Sequence, residues 1–288
     1  MSKGKLFLYI SAFSYGVLPI FASIAYRGGV NGITLTFLRS FLSLPILLLV
    51  IKHENVSLRI TIKQTKGIIK LSVFGCSLSI LLLYLSYNYI STGLATTLHF
   101  VYPLIILVSS VFLYKERLTR TSLCSVIMAT IGIFMFSDVG TGASRVGVIL
   151  AILSGVFYSF YIIYIDYSGL DRINFFVLTF YTMLITSITV LIFGIIVKEI
   201  SFSFMPSSWL FSVVISAITT LAAMPLLQIG IRYEGVNTAG IISTIEPITT
   251  IILGVVFLGE RLGISQVFGG SLILFGVLLS QKKEKIIH

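Results

Sequence analysis

The stretch Glu116-Arg117-Leu118 recurs as Glu260-Arg261-Leu262, and the two copies lie 144 residues apart in a chain of 288 residues. The same offset aligns Tyr89, Ala95, Pro103, Val111 and Gly132 with Tyr233, Ala239, Pro247, Val255 and Gly276. An offset that is one residue shorter aligns Ser11, Tyr15 and Leu35-Thr36-Phe37 with Ser154, Tyr158 and Leu178-Thr179-Phe180. The sequence therefore predicts two similar units, residues 1–140 and 141–288. Each tripeptide would close one long helix just before the next begins, so we interpret it as a structural landmark.

The composition predicts an integral membrane protein made of helices. The mean hydropathy is +1.06 and only 10% of the residues are charged, whereas soluble domains carry about 25%. The apolar stretches exceed the roughly 18 residues that a spanning helix needs. Backbone groups in hydrocarbon must be hydrogen-bonded within the segment, so we expect helices, and no alternating pattern suggests a barrel. The predicted fold class is all-α integral membrane.

The hydrophobic pattern predicts ten transmembrane helices, five in each unit. They are expected at about 5–26, 33–51, 67–90, 92–114, 119–137, 147–166, 174–197, 208–230, 236–258 and 264–281. A unit with an odd number of spans begins and ends on opposite sides of the membrane. The second unit would therefore be inverted relative to the first, about an axis in the membrane plane.

Lysine and arginine predict the orientation. With the N-terminus inside, fifteen of these residues lie in inner segments and four in outer segments. The excess of positive charge predicts a multi-pass protein of the cytoplasmic (inner) membrane with both termini in the cytoplasm. The same distribution explains the net charge of +10 without nucleic acid. We expect the partners to be a small-molecule substrate and the lipid bilayer, and the sequence leaves a coupling proton and a homo-oligomer open.

The sequence does not suggest an enzyme, a metal site or a cofactor. Cys76 and Cys124 lie in apolar stretches and are expected to be core residues without a disulfide. His53, His99 and His288 are far from each other and from both cysteines, so no zinc-ligand spacing exists. No Gly-rich phosphate loop and no cluster of catalytic side chains is present. The basic N-terminal run lacks a small-residue cleavage site and is not interpreted as a signal peptide.

Glu246 is the clearest candidate for function because it lies mid-helix in Ser243-Thr244-Ile245-Glu246-Pro247. An acid within hydrocarbon costs a few kcal/mol by insertion scales and usually faces a water-filled path. Pro247 removes a backbone donor and loosens the helix beside the carboxylate. Glu246 is expected to line a central cavity and bind a cation, an amine or a proton. The alternative is a buried carboxylate that is hydrogen-bonded to a neighbouring helix.

Arg39 is the second candidate and lies about six residues into the second predicted span. Three roles stay open. The side chain could extend to the outer interface, face the cavity and bind a carboxylate in bidentate fashion, or pair with Glu246.

The fourth span holds His99 and Tyr102-Pro103. By the repeat offset, Tyr102 corresponds to Glu246 and Pro103 to Pro247. A helix-breaking proline is thus expected at matching positions of both units, which indicates a transporter site near the membrane centre. His99 could titrate or donate a hydrogen bond to a substrate, or it could be a hydrogen-bonded interhelical residue.

Further polar residues are candidates for the pathway. Gln228 follows Pro225 in the eighth span, Tyr84 and Asn88 share a face of the third, and Tyr158 matches Tyr15 across the repeat. With 14 tyrosines and 22 phenylalanines, an aromatic cavity wall is one interpretation. Aromatic residues also populate membrane interfaces and face lipid, which is the competing interpretation.

Together these features resemble the drug/metabolite transporter superfamily, in particular its EamA-type ten-helix members, over nearly the whole chain. The resemblance is carried by Arg39-Ser40-Phe41, Glu246-Pro247 and Gly259-Glu260-Arg261-Leu262, followed by Phe268-Gly269-Gly270-Ser271-Leu272-Ile273-Leu274-Phe275-Gly276. It implies a membrane carrier with a central cavity between two inverted halves. Relatives export amino acids and other metabolites, or move nucleotide sugars or drugs. The two halves differ in that Thr182 stands where Arg39 would recur, and Tyr102 stands opposite Glu246.

The sequence thus predicts a secondary transporter, in particular an exporter of an amino acid or amino-acid-like metabolite by alternating access. Glu246 would hold an amine or a coupling proton, and Arg39 a carboxylate. A carrier of organic cations, drugs or lipid-linked sugars is the alternative within transport. A non-transporting accessory or sensor protein is the alternative from another class.

Overall fold

Apolar runs interrupted by short polar or glycine-containing turns form long helices, as seen in a computed structural model. The structure describes residues 2–90, 92–114, 120–136 and 144–258, with residues 268, 269, 271, 272, 275, 276 and 279 of the C-terminal segment. The helices are α1 Lys3–Arg27, α2 Gly32–His53, α3 Ile62–Ser86, α4 Thr92–His99, α5 Tyr102–Tyr114, α6 Arg120–Phe136, α7 Arg145–Tyr167, α8 Phe175–Ile196, α9 Pro206–Ser243 and α10 Ile245–Leu258. A short 3₁₀ turn, Leu170–Arg172, links α7 to α8.

The all-α membrane fold class is confirmed. In the described part of the chain there is no β-strand, and six helices (α1, α2, α3, α7, α8 and α9) are long and apolar enough to cross a membrane. The predicted span 92–114 is occupied by α4 and α5, and the predicted spans 208–230 and 236–258 are occupied by α9 and α10. Both Glu-Arg-Leu copies and most of span 264–281 lie outside the described residues. The count of ten spans and the division into two units therefore stay predictions.

Short polar side chains start several helices by accepting a backbone hydrogen bond. Asn31 accepts from Thr34 N at 2.8 Å and Asn174 from Phe176 N at 2.9 Å. Thr61 and Gln64 form a reciprocal capping box, which starts α3 five residues before the predicted position 67. The structure also ends α3 at Ser86, so Asn88 lies in the following turn rather than on the helix.

Two helices are broken just before a proline. Residues Phe100 and Val101 separate α4 from α5, and Thr244 separates α9 from α10. Pro103 and Pro247 stand in the first turn after each break. A proline ring has no N–H and clashes with the carbonyl four residues earlier, so a continuous helix is strained at both places.

Gly235 produces a further change of direction within α9. Its backbone has φ 79° and ψ 168°, a left-handed conformation that favours glycine. The kink lies in the gap expected between the spans 208–230 and 236–258. Val236–Ser243 follows this kink, and the Thr244 break falls inside the predicted ninth span.

Close helix packing surrounds the two helix breaks. Helix α1 packs against α9 and α10, α2 against α8, and α3 against α7. Gly16 of α1 lies so close to α10 that a Cβ would stand 2.5 Å from the Cβ of Thr249 and 2.7 Å from the Glu246 carbonyl oxygen. A Cβ on Gly155 of α7 would overlap the carbonyl oxygen of His99. Each helix break is therefore backed by a glycine of a neighbouring helix.

Serine hydroxyls also join the helices at two related positions. Ser11 Oγ donates to the Ala223 carbonyl at 2.6 Å, which ties α1 to α9. Ser79 Oγ donates to the Ser154 carbonyl at 3.0 Å, which ties α3 to α7. Ser11 corresponds to Ser154, and Ser79 to Ala223, under the two repeat offsets, so the two contacts join equivalent helix pairs.

Candidate functional site

A cavity of about 130 Å³ lies between α1, α2, α3, α4, α7, α9 and α10. Its lining includes an arginine, a histidine and a glutamate: Arg39, His99 and Glu246. Six tyrosines form much of the remaining wall, namely Tyr15, Tyr26, Tyr84, Tyr87, Tyr158 and Tyr161. The cavity combines an aromatic surface with one acid and one strong base.

Glu246 reaches the cavity because it follows the break at Thr244. Its helix is held by Thr250, whose single hydroxyl hydrogen is within hydrogen-bonding distance of the carbonyls of Gly16 and Glu246, with Oγ1–O distances of 2.8 and 3.1 Å. The Glu246 side chain is half-buried. Among the described residues that line the cavity, it is the one acid.

Arg39 also faces the cavity and does not extend to the outer interface. It is only 7% exposed, and its Nε has no hydrogen-bond partner. The aromatic side chains of Tyr15 and Tyr84 lie nearby and line the same cavity. The guanidinium is therefore buried without an anion of the protein beside it.

Arg39 and Glu246 share the cavity without forming an ion pair. In the part of the chain that the structure describes, His53 and Glu54 make the one salt bridge within 4.0 Å. The nitrogen atoms of Arg39 and the carboxylate oxygens of Glu246 are thus more than 4.0 Å apart. Two opposite charges face one space and leave room for a ligand between them.

His99 makes the interhelical hydrogen bond that was one of the two alternatives, and its role toward a substrate stays a prediction. It lines the cavity, and its Nδ1 lies 2.8 Å from Ser154 Oγ on α7. Ser154 donates its single hydroxyl hydrogen to the Ala151 carbonyl at 2.6 Å. Its oxygen must therefore accept from His99 Nδ1–H, which fixes the tautomer and leaves Nε2 as an acceptor.

Tyr102 does not line the cavity but stands behind it. Its fully buried ring packs edge-on against Tyr158, with ring centroids 4.7 Å apart, and its hydroxyl has no hydrogen-bond partner. Tyr158 forms the wall itself and stacks on Tyr161 at 6.0 Å. Tyr102 thus supports the aromatic wall.

Gln228 is likewise one layer behind the cavity. Its Nε2 lies 3.3 Å from Tyr161 Oη and 3.2 Å from Thr179 Oγ1. The side chain orients Tyr161, which is a lining residue. Gln228 Oε1 remains without a partner.

Tyr84 and Asn88 are separated by the end of α3. Tyr84 lines the central cavity and also a second pocket of about 290 Å³ near Asn31 and Glu199. Asn88 lines only the second pocket, at the end of the bundle that is predicted to face outside. The Asn31 side chain donates to the Glu199 carbonyl at 2.6 Å beside it.

Several lining residues, such as Ile80, Tyr87 and Tyr26, were missed by sequence reasoning, although helical spacing from Tyr84 and Tyr15 could have found them. Cys76, Ile80, Tyr84 and Tyr87 recur at the spacing of one helix face and all line the cavity. Tyr15, Pro19, Ala22 and Tyr26 do the same on α1. Among the described residues, no three His, Cys, Asp or Glu side chains come together as metal ligands would.

Comparisons with known proteins agree with this architecture. The EamA-like transporter family matches residues 2–138 and 145–281. An uncharacterized transporter of Archaeoglobus fulgidus is 24% identical over 283 residues, which covers 98% of each chain. The uncharacterized transporter YcbK of Bacillus subtilis is 25% identical over 287 residues, covering 95% of this chain and 91% of its own.

Two further matches cover different amounts of sequence. The uncharacterized transporter sll1319 of Synechocystis is 29% identical over 211 residues, which covers 70% of this chain and 62% of that relative. A solved crystal structure shares the fold with a TM-score of 0.83 at 19% identity, covering 97% of this chain and 98% of that one. The matches to the family over nearly the whole chain, and the long apolar helices, show that this is a multi-pass membrane protein of the EamA-like transporter family.

Proposed function

We propose that the protein is a secondary transporter that exports a small amino-acid-like metabolite across the cytoplasmic membrane. The observation that carries the proposal is the pair of opposite charges, Arg39 and Glu246, that share one cavity without an ion pair. A zwitterion has the complementary charges within one small molecule.

The energetics favour a ligand that supplies both charges. A buried charge without a partner costs several kcal/mol, and an arginine satisfies a carboxylate through two parallel hydrogen bonds. A ligand carboxylate on Arg39 and an ammonium on Glu246 would compensate both groups together. The tyrosine wall would enclose the apolar part of the ligand.

Alternating access is the mechanism we propose for movement. It is supported by the paired helix breaks at Phe100–Val101 and Thr244 and by the equivalent contacts of Ser11 and Ser79. Two inverted halves that rock about a central site would expose it to each side in turn. The lysine and arginine distribution supports cytoplasmic termini, and export is the direction that the family resemblance implies.

A proton is the coupling ion that the site suits best. Glu246 can exchange an ammonium ligand for a proton, so its carboxylate need not stay uncompensated when the carrier is empty. Proton binding and ligand binding would then compete at one residue. An imposed pH gradient is expected to drive uptake of the ligand into liposomes that contain the purified protein.

The test is flux in proteoliposomes, with free amino acids, their methyl esters and their deaminated acids as probes. Wild-type protein is expected to move the zwitterions and to discriminate against both analogues. Glu246→Gln and Arg39→Ala should each abolish zwitterion flux, whereas the exposed-loop controls Glu54→Gln and Arg59→Ala should not. Unchanged flux in both cavity variants would show that the site assignment is wrong.

A carrier of organic cations is the second candidate, and the six tyrosines of the cavity favour it. Aromatic faces attract quaternary ammonium ions, and Glu246 would neutralise their charge. This function needs no carboxylate partner. Flux of a quaternary amine that survives Arg39→Ala and is lost in Glu246→Gln would select this candidate over the first.

A further inference from the structure

A second charged site lies at the end of the bundle that is predicted to face the cytoplasm. Lys63, Lys66 and Lys70 at the start of α3 face Arg172 of the 3₁₀ turn across a groove of about 630 Å³. The end of α7, with Tyr167, forms the remaining side. We call these five residues and the space between them the basic groove.

The three lysines are aligned by helix geometry. They recur at intervals of three and four residues, which places them on one face of α3. Lys63, Lys66, Lys70 and Arg172 are all exposed at the surface. In the described chain none of the four makes a salt bridge, and no acidic side chain lines the groove.

Asp171 precedes Arg172 on the arginine side of the groove. Burial, followed by repulsion from Asp166, raises the pKa of Asp171, whereas Arg172 and Arg232 act in the opposite direction. Arg172 is therefore partly balanced by Asp171. The lysines carry most of the uncompensated charge.

One side of the groove is aromatic, which favours a lipid over a soluble anion. Tyr167, which lines the groove, is 63% exposed at the end of α7. Exposed tyrosine at such a position is typical of the membrane–water interface. Cationic side chains beside an exposed tyrosine, at the end of the bundle that is predicted to face the cytoplasm, match the anionic lipid headgroups of that leaflet.

We propose that the basic groove binds the phosphate of an anionic phospholipid headgroup. The lysine ammonium groups contact the phosphate oxygens, and the ring of Tyr167 lies beside the glycerol part of the same lipid. The central cavity takes no part, so this site stands whether or not the proposed transport function is correct.

The experiment measures retention of phosphatidylglycerol by the purified full chain in neutral detergent, with native mass spectrometry and a competing excess of phosphatidylcholine. The groove variant is Lys63→Gln/Lys66→Gln/Lys70→Gln. The matched control is Lys3→Gln/Lys5→Gln/Lys52→Gln, which removes the same charge from the same predicted face outside the groove. Single variants Lys66→Gln and Arg172→Gln accompany both.

Wild type and control are expected to retain phosphatidylglycerol, and the groove variant should bind roughly 100-fold more weakly, since each lysine near a membrane surface contributes up to about fivefold. Lys66→Gln should weaken binding more than Arg172→Gln. Replacing the three lysines by arginine should preserve binding, which separates loss of charge from loss of folding.

Two results would overturn the proposal. Equal loss in the groove and control triples would show that only the overall surface charge matters. Binding of glycerol 3-phosphate or inorganic phosphate as tight as that of phosphatidylglycerol would show a site for a soluble anion. Selective loss in the groove triple, together with weak binding of both soluble probes, supports the lipid site.

Discussion

The two broken helices, α4–α5 and α9–α10, have the same backbone design and different side chains. Each break precedes a proline, Pro103 or Pro247, and each is backed by a neighbouring glycine, Gly155 or Gly16. At matching positions the first carries Tyr102 and the second Glu246. Glu246 lines the cavity, and Tyr102 lies behind Tyr158.

We interpret this difference as one asymmetric site served by two similar backbone breaks. Both breaks leave backbone groups outside a regular helix. We propose that the chemistry is carried by one of them, because a carboxylate can bind a cation and a buried tyrosine ring can only shape the wall. The comparison predicts that equivalent substitutions at the two breaks will have unequal effects.

The largest effect is expected from substituting the side chains that differ between the two breaks, Glu246 and Tyr102. Glu246→Gln should lower zwitterion flux by roughly 30-fold or more, since removing one partner of a buried charge pair costs about 2–5 kcal/mol. Tyr102→Phe should change flux less than about threefold, because its hydroxyl has no hydrogen-bond partner. Initial rates in proteoliposomes at matched protein content measure both. Equal losses would contradict the asymmetry.

Substitution of the glycines behind the two breaks should lower stability by similar amounts and affect transport by different amounts. Gly16→Ala and Gly155→Ala each place a Cβ against backbone, and overpacking of this kind costs about 1–3 kcal/mol. Both should therefore lower the thermal midpoint of the purified protein. Gly16→Ala should also reduce flux further, because it displaces the turn that holds Glu246. Gly169→Ala in the exposed turn, where no atom lies within 4 Å, controls for added bulk but introduces strain at φ 72°.

The prolines are expected to have a moderate effect of opposite sign on stability and flux. Pro247→Ala restores a backbone donor and should raise the thermal midpoint while lowering flux, because the helix beside Glu246 straightens. Pro103→Ala should raise the midpoint similarly and leave more of the flux intact. Paired melting and flux measurements on the two variants decide the point. A larger flux loss in Pro103→Ala would place the chemistry at the other break.

The smallest effect is expected from removing Ser154, the hydrogen-bond partner of His99 at the end of α4. Ser154→Ala removes the acceptor of His99 Nδ1–H and should destabilise the protein by about 1–3 kcal/mol, with a flux loss of severalfold. Ser159→Ala is the matched control, because its hydroxyl donates only within α7, to Val156. Identical behaviour of the two serine variants would show that the His99 contact contributes nothing.

The sequence predicted the helices well because their signals are local. Long apolar runs, capping residues such as Asn31 and prolines such as Pro247 act within a few residues of their own position. The inward orientation of Arg39 could not be predicted, because it depends on the packing of α2 against distant helices. The positions of Tyr102 and Gln228 behind the wall depend on the same long-range packing.

Some of the residues that line the cavity could have been predicted from helical spacing alone. Tyr87 lies one helical turn beyond Tyr84, and Cys76 lies two turns before it on the same face. Asn88 was expected on that face because the predicted span, 67–90, continues past Ser86, where the helix ends. Because α3 ends at Ser86, Tyr84 lines both pockets, whereas Asn88 lines only the outer one.

The central claim is that Arg39 and Glu246 hold opposite ends of one ligand. The most direct measurement is ligand affinity from stabilisation of the purified protein, because a ligand at 100 times its Kd stabilises by about 2.7 kcal/mol. Wild type, Arg39→Gln and Glu246→Gln are each titrated with an amino acid, its methyl ester and its N-acetyl derivative. The account predicts that Arg39→Gln weakens binding of the two ligands with a free carboxylate, the amino acid and its N-acetyl derivative, but not binding of the ester. Glu246→Gln should weaken binding of the two ligands with a free ammonium group, the amino acid and its ester, but not binding of the N-acetyl derivative. If each variant weakened all three ligands equally, the two residues would not hold opposite ends, and the claim would be contradicted.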